Sequence, residues 1–168
     1  GLDKYTGGAG SDIYIMTTAT ADATDTLTIT DFAKGTGGDL LHVDESAVAG
    51  GIVTGMTAGT TAYVEGSIGT VGVNNSATAF ASNSFLVVTD QSFATYDALE
   101  AQIDIENGGT DLADTVTLFL DSTNGYAVMY ADGVVGTTTN DEIYMAKFTD
   151  ITTLTQLAEF NSSNFVVI

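Results

Sequence analysis

The segment Gly7-Gly8-Ala9-Gly10-Ser11-Asp12-Ile13-Tyr14-Ile15 fits the nine-residue pattern G-G-x-G-x-D-x-U-x at every specified position, with Tyr14 as the large apolar residue U. The pattern has a physical reading. Glycines let the backbone turn tightly and aim carbonyls inward, the Asp offers a carboxylate, and the next three residues form a short strand whose middle side chain packs inside a parallel coil. Nine residues before Gly10, Asp12 and Tyr14 stand Gly1, Asp3 and Tyr5, in the same register. Gly1 to Thr6 therefore reads as the last six positions of a preceding repeat, which predicts a longer polypeptide with repeats upstream. The alternative is a plain glycine turn.

Charge points the same way. The 168 residues hold 22 acidic side chains against Lys4, Lys34 and Lys147, with no Arg, for a net charge of -19. Phosphate neutralisation needs clustered cations, so nucleic-acid binding is excluded. A compact body this anionic is destabilised unless cations offset the repulsion, and a chain rich in Asp, Gly, Thr and Asn suits the hard oxygen-seeking ion calcium. An acidic, salt-adapted surface is the alternative. Cysteine is absent, which removes disulfides, thiolate metal sites and Cys nucleophiles. No run of eighteen apolar residues exists, so no membrane span is expected.

Working outward, period-two alternation predicts strands near Ile13 to Met16, Asp25 to Ile29, Leu40 to Val43, Thr61 to Val64, Phe85 to Thr89, Thr115 to Leu120, Gly125 to Tyr130, Glu142 to Phe148 and Phe165 to Ile168. Tight turns are expected at Ser122 to Gly125 and at Asp132-Gly133. Helix is confined to Tyr96 to Ile103, with Thr95 as its N-cap, and a short turn within Leu154 to Phe160. Residues 50 to 110 contain no recognisable motif.

The glycine repeat, followed by Asp25-Thr26-Leu27-Thr28-Ile29-Thr30-Asp31-Phe32 and by Gly38-Asp39-Leu40-Leu41-His42-Val43-Asp44, resembles the C-terminal region of RTX (repeats-in-toxin) proteins. The likeness is specific over residues 1 to 45 and looser over Thr115 to Ile168, whose end is similar to the tails of type I-secreted surface-layer and hemolysin-like proteins. Ser11 departs from the family's usual Asn. The resemblance implies an all-β fold: the end of a calcium-binding parallel β-roll (1–45) capping onto a β-sandwich-like domain (46–168) with one or two short helices and a terminal secretion-signal-like segment. It also implies a secreted, extracellular chain that folds on Ca2+. Asp3 and Asp12 would each supply half a site, Asp12 being completed by an upstream repeat, Asp31 or Asp39, with the turn at Gly8 and Gly10 contributing backbone.

Other acidic groups are weaker candidates. Asp104, Glu106, Asp111 and Asp114 surround a Gly-rich loop without EF-hand spacing, and Asp132, Asp141 and Glu142 are expected at hairpin ends. His42 is the only histidine, which removes multi-His metal centres, and its place at a strand end with Asp44 reads as structural. The chain is expected not to be an enzyme. The function expected is a non-catalytic, calcium-dependent structural or assembly module of a bacterial cell-surface protein, a surface-layer or filament subunit forming a homo-oligomer or polymer. The alternatives are the export and folding tail of a secreted hydrolase or toxin, and an adhesin module that binds cell-surface polysaccharide through Tyr63, Tyr126 or Tyr130.

Overall fold

A computed structural model of the chain describes residues 4–16, 27–44, 55–56, 58, 63–68, 72, 80–135 and 142–168. Within them the elements run β1 (Lys4–Tyr5), β2 (Ile13–Met16), β3 (Leu27–Ile29), β4 (Leu40–Val43), β5 (Tyr63–Gly66), β6 (Phe85–Phe93), α1 (Tyr96–Glu106), β7 (Leu112–Asp121), β8 (Tyr126–Val135), β9 (Ile143–Phe148), α2 (Leu154–Leu157) and β10 (Phe165–Val167). A 3-10 turn at Ser162–Asn164 leads into β10.

The first four strands alternate between two sheets. β1 pairs in parallel with β3, and β2 with β4, so each strand is bonded to the next but one along the chain. The larger sheet has seven strands in the order β1-β3-β9-β8-β7-β6-β5, and the smaller has three in the order β10-β4-β2. The described chain is thus mostly strand with two short α-helices, as expected. The sheets are nonetheless mixed: β8 is antiparallel to both neighbours, whereas the pairings toward either edge are parallel. Strands from either side of residue 45 share both sheets, β3 bonding to β9 and β4 to β10.

Alternation sorts the core into two layers. Tyr14, Met16, Leu41, Val43, Phe165 and Val167 of the smaller sheet face Ile29, Phe85, Val87, Val116, Leu118 and Phe148 of the larger one. Phe160 stacks between Phe32 and Phe165, with ring centroids 5.2 Å and 5.7 Å away. On the opposite face of the larger sheet, Leu86, Val88, Phe119 and Val128 receive Tyr96, Leu99 and Ile103 of α1. Burying both faces explains the unbroken apolar run Phe85 to Val88.

Helix α1 starts where expected, the Thr95 side chain accepting from the Ala98 N–H, but runs three residues beyond Ile103. Gly108 and Gly109, at φ +65° and +78°, reverse the chain after it. One expected turn is absent. β8 passes straight through Asp132-Gly133, with Asp132 opposite Thr115 in the ladder. The carboxylate of Asp132 is fully buried and accepts from the Tyr96 hydroxyl at 3.1 Å, so an inward tie to the helix overrides the local turn signal. The Ser122 to Gly125 turn forms, with Gly125 at φ +74° and its N–H donating to the Asp121 carbonyl at 2.8 Å.

Candidate functional site

Two glycine turns stack at one end of the smaller sheet. The first leads from β1 into β2, the second from β3 into β4, and Ile13 lies opposite Leu40 in the ladder, 27 residues on. In this register Gly8 and Gly10 correspond to Gly35 and Gly37, and all four occupy the left-handed region, at φ +90°, +130°, +84° and +80°. Only glycine does this without a steric penalty. The offset equals three nonapeptides, so Lys34 to His42 is a degenerate copy of Gly7 to Ile15. Lys34 in place of the first glycine and Gly38 in place of Ser11 mask the repeat.

Carboxylates from the second layer bind the backbone of the first. Asp31 accepts from the Gly7 and Gly8 N–H groups at 2.9 Å and 2.8 Å. Asp39, 1% exposed, accepts from the Asp12 N–H at 2.9 Å and from the Ala33 N–H at 2.8 Å. The Ser11 hydroxyl donates to the Gly38 carbonyl at 2.6 Å, and the Leu40 N–H to the Asp12 carbonyl at 2.8 Å. The oxygens of Asp31 and Asp39 are thus turned to N–H donors of the two turns.

Asp12 is different. Its Oδ2 is buried with no hydrogen-bond partner. It lies under Gly7, where an added Cβ would meet Asp12 Oδ2 at 2.5 Å and the Tyr14 hydroxyl at 2.6 Å. The Tyr14 hydroxyl donates weakly to Asp31 at 3.4 Å. Burial, then the charges of Asp31 and Asp39, push its pKa up to about 12, so it stays a neutral donor. An orphaned, buried carboxylate oxygen is a single ligand of the kind a hard cation takes. Among the described residues no group of three or more acidic or histidine side chains gathers as a metal cluster.

A third layer, without a local signal in the sequence, completes the stack. Asn164, fully buried, accepts from the Gly35 N–H at 2.9 Å and donates to the Asp39 and Gly35 carbonyls at 2.9 Å and 3.3 Å. It therefore clamps the second turn from the far side. Asn161 caps the 3-10 turn that delivers it, its side chain accepting from the Ser163 N–H.

Asp150 is also new. Its Oδ1 is buried and unpartnered, and burial raises its pKa above the usual 3.8, with Asp31 adding to the rise and Lys34 opposing it. The folded chain then holds this proton more tightly than the unfolded one. The resulting stability is fully present below pH 3.8 and is lost as pH rises through the folded value. Asp150→Asn is expected to raise the melting temperature at pH 7 and to have no stabilising effect at pH 3, as measured by circular dichroism.

The remaining candidates separate. Asp3 and Asp141 lie outside the described residues. Glu106 is buried and accepts from Gln102 Nε2 at 2.9 Å, so it does not join a cage with Asp111 and Asp114. His42 stands half-buried in the ladder between Ile15 and Val166. Tyr63 donates to the Phe160 carbonyl at 2.8 Å, and Tyr130 stacks on Tyr96 at 4.6 Å, which commits both to internal packing. No helix among the described residues is long and apolar enough to cross a membrane. Comparison with family models, with curated proteins and with solved structures gives no match in any of the three.

Proposed function

We propose that this chain is a non-catalytic, calcium-dependent structural module of a secreted bacterial cell-surface protein, such as a surface-layer or filament subunit. One observation carries the reading: two turns with positive-φ glycines at corresponding positions stack 27 residues apart, and the upper one holds a buried Asp12 oxygen without a donor. The alternation of β1 to β4 between two sheets supports a parallel β-roll. Asp12, with backbone carbonyls of the Gly8 and Gly10 turn, would hold the ion. Asp31 and Asp39 set the turn shapes through their N–H bonds. Calcium would supply charge neutralisation to a body at -19, and binding only the folded turn would make it folding free energy.

Thermal melts with calcium and with chelator test this. At about one hundred times the dissociation constant, calcium adds roughly 2.7 kcal/mol, which for this size is on the order of 5 to 10 °C. Asp12→Asn should abolish that increment. Identical melts in calcium and in EDTA would overturn the reading.

A further inference from the structure

We infer that Asn107 is a self-modification site, where the folded chain converts the side-chain amide to aspartate and isoaspartate with loss of ammonia. Two Asn-Gly pairs stand in the sequence, Asn107-Gly108 and Asn124-Gly125. Glycine makes such a pair reactive, because an amide nitrogen with no Cβ beside it is unshielded and its peptide turns freely. In the first step the Gly108 nitrogen bonds to Asn107 Cγ, the Cγ–Nδ2 bond breaks, and the leaving amide takes the Gly108 N–H proton to depart as ammonia. Water then opens the five-membered ring, at the main-chain carbonyl to give isoaspartate or at Cγ to give aspartate. No electrons are exchanged, and water is the co-reactant.

The structure separates the two pairs. Ring closure requires the peptide after the asparagine to turn, so the bonds that hold this peptide and the side-chain amide set the rate. At the β7–β8 reversal the Gly125 N–H donates to the Asp121 carbonyl at 2.8 Å. Asn124 Nδ2 and the Asn124 N–H donate to the Asp121 carboxylate at 2.7 Å and 3.0 Å, and both bonds are charge-assisted. A ladder running from Leu112–Val135 to Asp121–Tyr126 stands behind them. At the end of α1 the attacking Gly108 N–H reaches the Ile105 carbonyl at 3.2 Å, and Asn107 Nδ2 reaches the neutral Thr110 carbonyl at 3.2 Å. Both lie at the long limit for N–H donors. Gly108, Gly109 and Thr110 are exposed, so water has access to the ring. The bonds on either side, from the Asn107 N–H to Ile103 and from the Gly109 N–H to Asp104, are 2.9 Å each and frame the peptide that has to turn. Conversion puts a new carboxylate on the C-cap of α1, at the negative end of the helix dipole and next to the buried Glu106. The reaction needs no metal, so it stands apart from the calcium reading.

Peptide mapping by mass spectrometry, on the folded chain held in mildly alkaline heavy-oxygen water, tests the site. Asn107 is expected to take up one heavy oxygen, and Asn124 to do so at least about tenfold more slowly. In urea, where neither turn persists, the two rates should converge. Asn107→Asp, which carries the same charge as the product, should lower the melting temperature by about 1 to 4 °C. An intact Asn107 in the folded chain, under conditions that convert it in urea, would overturn the site. So would an Asn124 that reacts as fast as Asn107 while both turns are folded. An unchanged melting temperature for Asn107→Asp would overturn the effect on α1.

Discussion

Asp39→Ala is expected to lower the unfolding free energy by about 3 to 5 kcal/mol, because two backbone N–H groups lose a charged acceptor in a site closed to water. The groups are those of Asp12 and Ala33, at 2.9 Å and 2.8 Å, around a side chain that is 1% exposed. The whole domain stands on only about 5 to 15 kcal/mol, so the change removes a large fraction of it. Asp39→Asn should fall between, since one amide oxygen can serve one donor while the amide nitrogen faces the other. Urea denaturation followed by far-UV circular dichroism measures both. A midpoint within error of the parent for Asp39→Ala would mean that the two turns are held by something other than this carboxylate.

Gly38→Ala is expected to cost about 2 to 4 kcal/mol, for a steric reason rather than a conformational one. A Cβ at Gly38 would collide with the Ala33 carbonyl oxygen and lie 2.8 Å from its carbon and 2.9 Å from the Lys34 oxygen. All three are backbone atoms of the turn itself, so no side chain can swing aside. The Ser11 bond to the Gly38 carbonyl would shift with it. Gly37→Ala is the control. It meets no atom within 4 Å but sits at φ +80°, so only the left-handed penalty of about 1 to 2 kcal/mol applies. Equal losses for the two variants would contradict the packing argument.

Local chemistry made part of this legible in advance. The nonapeptide at Gly7 announced a turn and a strand, and both are there, because glycine placement and period-two alternation act over a few residues. The Ser122 to Gly125 reversal and the Thr95 cap were readable for the same reason. Asp132-Gly133 misled because a buried partner 36 positions away, Tyr96, outweighs a local turn preference. Strands β6 to β8 ran longer than expected since their central residues are buried on both faces, which erases alternation. Within the site, the sequence marked Asp12, Asp31 and Asp39 but not their different duties. Whether a carboxylate faces N–H donors or stands without one depends on which turns stack, and that is fixed by pairings between distant segments. Asn164 and Asp150 were invisible on the same grounds: each acts on a turn more than a hundred positions earlier in the chain.

Those distant pairings set a timetable. β3 leans on β9, β4 on β10, and the clamp at Asn164 follows the Asp39 carbonyl it holds by 125 residues. A ribosome, or any pore that passes this polypeptide amino end first, therefore releases the opening strands well before their neighbours exist. The slow step of maturation should be closure of these long loops, which high contact order predicts. A truncated product ending before Asn164 would keep its glycine arches without the last bolt that locks them.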